Sequence, residues 1–191
     1  MSELNRDFLV NLYGKYDIHS LKEVHIEKTL IKRIAANAFK GLTQLKCLRL
    51  NDNQIEEIEP KAFQSLDNLR ELILSNNKLE RIDSDMFKGL SKLEKLQLDS
   101  NEISEIDSHA FDSLSNLYHL DLSCNRLSTV SQNCFRSLKS IKTIPLYENN
   151  WIALSYVVSP DAVDYPWNLL KLQTNGFHSE WNSFLTQFPD I

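Results

Sequence analysis

Residues 69–90 read LRELILSNNKLERIDSDMFKGL, and this stretch decides the fold. Leu72 and Leu74 alternate with Ile73, which is the period-two pattern of a short strand with one buried face. Asn77 stands where the chain must leave such a strand, and an Asn side chain can satisfy the backbone groups that a turn leaves unpaired. A single short strand cannot bury its own face. The stretch therefore predicts a unit that needs stacked copies of itself.

The same pattern recurs every 24 residues over residues 21–146 without an insertion. The buried strand positions, the turn asparagines and the phenylalanines each form a column. These columns are Leu21, Leu45, Leu69, Leu93, Leu117 and Ile141; Val24, Leu48, Leu72, Leu96, Leu120 and Ile144; Thr29, Asn53, Asn77, Asn101, Asn125 and Asn149; and Phe39, Phe63, Phe87, Phe111 and Phe135. The columns predict a parallel sheet, an asparagine ladder and an aromatic spine in the wide back of the coil.

The pattern LxxLxLxxNxIxxIxxxxFxxL resembles the leucine-rich repeat, in the 24-residue class common in animal extracellular proteins. The resemblance implies an α/β solenoid, with a curved parallel sheet on its concave face and short helical or 3-10 turns on its convex face. Acidic and hydroxyl residues precede the phenylalanines and suit the N-cap of such turns, and Pro60 suits a first helical position. These residues are Glu59, Asp83, Asp107 and Ser131.

A solenoid needs caps over its terminal coils. Residues 1–20 form the predicted N-terminal cap, with a helix over residues 3–14 whose apolar stripe is Leu4, Phe8, Leu9, Leu12 and Tyr13. Residues 147–191 form the predicted C-terminal cap, integral to one domain, with short helices at 167–174 and 179–187. The tryptophans Trp151, Trp167 and Trp181 all lie there. They either cover the last coil or, as Trp167 and Trp181, add to a partner site.

Composition favours a soluble, non-nucleic-acid-binding protein. The formal net charge is −5, which gives no electrostatic reason to expect nucleic acid or an anionic membrane as a partner. The three cysteines are not a disulfide framework, and the chain has neither an apolar run long enough for a membrane span nor an Asn-x-Ser/Thr sequon. We expect a cytoplasmic protein, or an extracellular one if a signal peptide precedes this sequence in the native protein.

One trio of residues has the types of a catalytic triad. His119, Asp121 and Ser123 alternate along one predicted strand. Residues two apart on a strand are separated by roughly 6.6 Å, whereas a triad needs contacts near about 3 Å. The five histidines show no metal-binding spacing and no glycine-rich phosphate loop is present. We predict no catalytic residue, no metal and no cofactor.

The residues between the buried leucines point outward and form the predicted partner site on the concave face. Ile73 is notable because it is apolar among polar neighbours, although single exposed apolar residues are also ordinary. The outward residues vary in chemistry from repeat to repeat, as those of a recognition surface would, but an ordinary solvated surface would vary in the same way. The candidate partner-binding residues are Arg49, Glu71, Ile73, Lys95, Gln97, His119, Asp121 and Tyr147.

These observations predict a non-catalytic interaction module or adaptor that binds a protein. The alternative is an innate-immune type of recognition receptor for a non-self or extracellular ligand. The strand face measures roughly 24 by 16 Å, about 400 Å², which is half of the area a standard interface needs, so loops or the C-terminal segment must contribute. We expect a monomer. Acidic middle repeats and basic ends leave weak self-association open.

Overall fold

The computed structural model describes residues 3–14 and 17–150 of the 191. In this part the elements are β1 (Glu3–Leu4), α1 (Arg6–Tyr13), a 3-10 helix (Ile18–Ser20), β2 (Glu23–His25), β3 (Arg33–Ile34), β4 (Cys47–Arg49), β5 (Glu57–Ile58), β6 (Glu71–Ile73), β7 (Arg81–Ile82), β8 (Lys95–Gln97), β9 (Glu105–Ile106), β10 (His119–Asp121) and a second 3-10 helix (Gln132–Phe135). The predicted helices at 167–174 and 179–187, and the tryptophans, lie outside the described residues.

The main sheet is parallel, with strand order β2-β4-β6-β8-β10. Each strand pairs with the next in steps of 24 residues, as in Leu48 opposite Leu72 and Leu72 opposite Leu96. A bridge from His119 to Thr143 continues the sheet into the following coil. The predicted solenoid fold and its register are therefore confirmed.

The predicted aromatic spine is also present. Phe39, Phe63, Phe87, Phe111 and Phe135 stack in sequence, with ring centroids 5.8–6.4 Å apart and interplanar angles of 6–15°. Four of the five rings are at most 1% exposed. Together with the fully buried strand leucines they fill a single continuous core, whose burial is the main stabilising contribution to the fold.

The asparagine ladder satisfies the turn after each main-sheet strand. Asn77 shows the pattern: its amide donates to the carbonyls of Leu74 and Ser75 in its own repeat and to that of Leu50 in the repeat before. Its carbonyl oxygen accepts from the amide N–H of Ile55 at 2.9 Å. The amide groups of Asn53, Asn101, Asn125 and Asn149 make equivalent bonds. One side chain thus joins two coils at every turn.

The residue before each ladder position has a left-handed backbone, with φ between 53° and 57°. Residues other than glycine adopt this region at a cost of about 1–2 kcal/mol, and none of these six positions is a glycine. The position is held by Lys28, Asp52, Asn76, Ser100, Cys124 and Glu148. The asparagine bonds and the cross-coil backbone bonds hold the turn against this cost.

The N-terminal end differs from its prediction in one part. Leu4 does not belong to the helix but to β1, which pairs with β3 and extends the second sheet, β1-β3-β5. Helix α1 starts later, after Asn5, whose side chain accepts from the amide of Phe8 at 3.0 Å. Leu4 and Leu9 join the core, whereas Leu12 is 51% exposed. Pairing with a strand about thirty residues away overrides the local helical spacing.

The outer turns are built from i to i+3 backbone bonds, such as the bond from the amide of Met86 to the carbonyl of Asp83. Not all of the predicted N-cap residues cap their turns. Asp107 accepts from the amide of His109 at 2.8 Å, as a cap should. Glu59 instead accepts from the amide of Ala36 in the preceding repeat and pairs with Arg33. Its longer side chain reaches across to the neighbouring coil.

Candidate functional site: the concave face of the sheet

The outward side chains of the main sheet form the concave face, which has eighteen positions in three columns. Strand pairing and the cross-coil bonds after each strand set the columns side by side. The columns are Glu23, Cys47, Glu71, Lys95, His119 and Thr143; His25, Arg49, Ile73, Gln97, Asp121 and Pro145; and Glu27, Asn51, Ser75, Asp99, Ser123 and Tyr147. All eight candidate residues of the repeat region lie on this face.

Glu71 is the centre of an ionic network on the concave face. Its carboxylate lies 3.3 Å from Nζ of Lys95 on one neighbouring strand and 3.8 Å from a guanidinium nitrogen of Arg49 on the other. Partial burial alone would raise the pKa of Glu71, but the bonds and charges of Lys95, Cys47 and Arg49 outweigh it and lower that pKa. Three of the predicted residues are therefore joined across three strands.

Cys47 lies beside the same carboxylate. Its thiol donates to Glu71 at 3.4 Å and the residue is 8% exposed. Burial first, and the charge of Glu71 second, raise the pKa of the thiol to about 11. At neutral pH Cys47 is a protonated hydrogen-bond donor, and it is not an activated nucleophile.

Ile73 has the predicted position but not the predicted exposure. It projects from the face of β6 opposite to Leu72 and stands apart from the continuous core, yet it is only 6% exposed. Its register partners are Arg49 and Gln97, whose aliphatic stems can cover an apolar neighbour while their polar ends remain in water. The interpretation of Ile73 as an exposed apolar residue is wrong.

The triad-like residues are not connected as a triad. The hydroxyl of Ser123 donates to Asp121 at 2.6 Å, and the backbone N–H of Ser123 donates to the same carboxylate oxygen at 3.0 Å. His119 bonds through Nδ1 to the hydroxyl of Thr143 at 2.7 Å. The serine is thus bonded to a carboxylate and not to an imidazole base, and it is 1% exposed. This geometry provides a positioned carboxylate and not a nucleophile.

Asp99, which the sequence did not single out, also accepts a hydrogen bond from a serine hydroxyl, here from the preceding coil. The hydroxyl of Ser75 donates to its carboxylate at 2.6 Å. Neither Asp99 nor Asp121 forms an ion pair with a Lys or Arg among the described residues. The signal that could have identified Asp99 is its place in the same column as Ser75 and Ser123.

Trp167 and Trp181 lie outside the described residues. Over residues 3–14 and 17–150, no His, Cys, Asp and Glu side chains gather into a group that could hold a metal ion.

No helix in the described part of the chain is long and apolar enough to span a membrane.

Known proteins share this repeat architecture. Residues 15–142 match six copies of the BspA type leucine rich repeat region. The chain is similar to the crystal structure of the TLR13–ssRNA13 complex, with a TM-score of 0.66 and 29% sequence identity. The similarity covers 77% of this chain and 21% of that chain, so this chain spans about a fifth of its length. No curated protein matches the chain.

Proposed function

We propose that this chain, which belongs to the leucine-rich-repeat family, is a non-catalytic module that binds a protein partner on its concave face. One observation carries the proposal: polar side chains from at least three coils are fixed there by ion pairs and hydrogen bonds within the face. Glu71 holds Arg49 and Lys95 in place, and serine hydroxyls hold Asp99 and Asp121. Side chains positioned before binding lose less conformational entropy when a partner docks.

The local chemistry supports binding over catalysis. A nucleophile needs a base within hydrogen-bond reach, and Ser123 has a carboxylate neighbour that already accepts both its hydroxyl and its amide. The thiol of Cys47 is held in its protonated form by burial and by Glu71. Neither residue is prepared to attack a substrate.

A second candidate is a recognition receptor for a non-self or extracellular ligand. The similarity to TLR13, a protein solved in complex with ssRNA13, favours it. For RNA in particular, the concave face would need free cations to meet phosphates. Its only two Lys or Arg side chains, Arg49 and Lys95, both pair with Glu71. The electrostatics of the face therefore support a protein partner over RNA.

The test places one bulky charge in the middle of the concave face. In Gln97→Arg the new side chain occupies a site whose original side chain makes no hydrogen bond or ion pair within the described residues. The control, Asp67→Arg, introduces the same side chain at an exposed outer turn. Partners captured from native extract by the full chain are identified and purified, and their affinities for both variants and for Trp167→Ala are measured. Thermal unfolding verifies that each variant is folded.

We expect Gln97→Arg to weaken binding by about tenfold or more, equivalent to about 1.4 kcal/mol, while Asp67→Arg retains it. Loss of partner binding with Trp167→Ala alone would indicate that the C-terminal segment binds the partner, and it would refute the concave site. Full retention by all three variants would refute it as well.

A further inference from the structure

The concave face carries an excess of negative charge. Among its eighteen positions are five carboxylates, Glu23, Glu27, Glu71, Asp99 and Asp121, and two Lys or Arg side chains, Arg49 and Lys95. With histidines neutral, the formal charge of the face is −3. The face thus holds more than half of the net charge of −5 that the whole chain carries. A partner of complementary potential is basic.

Both positive charges of the face pair with a carboxylate of the same face. Glu71 accepts both Arg49 and Lys95, so one carboxylate engages both cations. Within the described residues, none of the other four carboxylates has a Lys or Arg partner. Glu23 has only the neighbouring His25, at 3.3 Å. The centre formed by Arg49, Glu71 and Lys95 has a formal charge of +1, and the four other carboxylates, which together contribute −4, lie on both sides of it.

Asp99 and Asp121 are the best positioned of the unbalanced carboxylates. Register places Asp121 opposite Gln97, so Asp99 lies one strand over and two residues further on. With strands about 4.8 Å apart and about 3.3 Å per residue, their Cα atoms are about 8 Å apart. A serine hydroxyl donates to Oδ1 of each, at 2.6 Å, and Oδ2 of each accepts no bond from the described residues. Two oriented carboxylates can thus act on one cation.

Tyr147 lies in the next coil, in the same column as Ser123 and Asp99. The bond from the amide of Cys124 to the carbonyl of Tyr147 at 2.9 Å fixes this place, and the residue is partly exposed. A tyrosine ring on the same face as these carboxylates provides a π face for a cation. The combination suits arginine, whose planar guanidinium both stacks on rings and donates to carboxylates.

We propose that the concave face binds a basic segment of a polypeptide partner, and that an arginine of that segment docks between Asp99, Asp121 and Tyr147. This inference rests on the proposed function, because it specifies the chemistry of the partner at the same face. Repulsion from the four unbalanced carboxylates directs a polyanion such as RNA away from the face.

The experiment uses the full chain and a short fluorescent peptide of alternating glycine and arginine. Companion probes are the glycine–lysine peptide, the glycine–glutamate peptide and a labelled oligouridylate, all titrated by fluorescence anisotropy at low and at physiological ionic strength. Asp99→Asn/Asp121→Asn removes both carboxylates. The matched control, Glu56→Gln/Glu80→Gln, makes the same change in net charge at exposed carboxylates away from the concave face that have no ion-pair partner in the described structure. Tyr147→Leu removes the ring.

We expect the arginine peptide to bind wild type and to lose affinity by about tenfold or more with Asp99→Asn/Asp121→Asn, because bonds to charged groups are lost. The matched control stays within about twofold, since only long-range charge changes. Tyr147→Leu weakens the arginine peptide by about two- to fivefold and the lysine peptide by less.

Equal weakening by the two double variants would show unspecific attraction to an acidic protein and overturn the inference. Oligouridylate binding that Gln97→Arg alters would overturn it as well, in favour of a nucleic-acid ligand. The failure of this inference can be distinguished from a failure of the proposed function. If a purified partner is lost with Gln97→Arg but retained by Asp99→Asn/Asp121→Asn, the concave site remains valid and only the basic partner is refuted.

Discussion

The two faces of the main-sheet strands differ in how much their residues vary from coil to coil. Inward positions such as Leu48, Leu72, Leu96 and Leu120 are the same residue in successive coils and are all fully buried. Outward positions on the same strands differ at every step, as in Cys47, Glu71, Lys95 and His119. The inner face must repeat because each coil packs on a copy of itself. The outer face stands apart from the continuous core, so its residues are free to vary.

The largest expected difference between the faces comes from the ladder that supports the inner one. Asn101→Ala removes three donated bonds, to Leu74, Leu98 and Asp99, and one accepted from the amide of Leu79. We expect the free energy of unfolding to fall by about 3 kcal/mol or more, because buried backbone groups lose their partners. Gln97→Ala, on the outward face, should cost less than about 0.5 kcal/mol. Urea unfolding of both variants measures the contrast, and comparable losses would contradict it.

A smaller effect is expected at the left-handed turn that precedes the ladder. Ser100 has φ of 57°, so Ser100→Gly removes a steric cost and should raise the free energy of unfolding by up to about 1 kcal/mol, part of the gain being offset by chain entropy. Ser100→Val should lower it by about 1 kcal/mol, since a β-branched residue fits this region worst. Opposite shifts in the urea midpoint are the predicted signature. Shifts of the same sign would show that backbone conformation does not control this turn.

The ionic network of the concave face should affect stability less, and in a pH-dependent way. The pKa of Glu71 is lower in the folded protein than its ordinary value of 4.5. A lowered folded pKa adds stability above the unfolded pKa, and this stability is lost as the pH falls through the folded value. Glu71→Gln should therefore cost less than about 1 kcal/mol at pH 7, with the difference from wild type closing below pH 4.5. Urea unfolding across this range, with Glu56→Gln as the unpaired control, tests it; a difference that widens in acid would contradict the assignment.

The smallest effect is kinetic and leaves stability aside. Iodoacetamide at mildly alkaline pH should modify the partly exposed Cys124 first, Cys47 more slowly and the buried Cys134 last. Burial raises the pKa of all three thiols, and Glu71 raises that of Cys47 further. Glu71→Gln should thus accelerate modification of Cys47 and leave Cys134 unchanged. Mass spectrometry of timed samples gives the rates, and an unaltered Cys47 rate would separate its thiol from the carboxylate.

The fold was predictable because its main signal is strict spacing. An uninterrupted 24-residue period determines which residues face each other, and the register, the asparagine ladder and the phenylalanine stack follow from it. The left-handed turn was not predictable, since Lys28, Ser100 and Glu148 share no chemistry that marks it. The place of Leu4 in β1 was missed because its partner, Ile34, is distant in sequence.

For the candidate site, sequence located the residues but not their contacts. Period two placed Arg49, Glu71 and Lys95 on one face, yet whether one carboxylate engages both cations depends on side-chain conformation. Exposure failed at Ile73 for a similar reason, because it is decided by how the long neighbouring side chains lie. That these residues bind a partner stays a prediction.

The strict period has a consequence for how such a chain can change in length. The ladder bonds between coils join residues 22, 24 or 27 positions apart, so no such bond extends beyond an adjacent coil. Duplication of one 24-residue block would therefore recreate every one of these bonds at both junctions. It would also add three outward side chains to the concave face, one in each column. The concave face could therefore be lengthened or shortened by whole repeats, and only changes in units other than 24 would disrupt the coil.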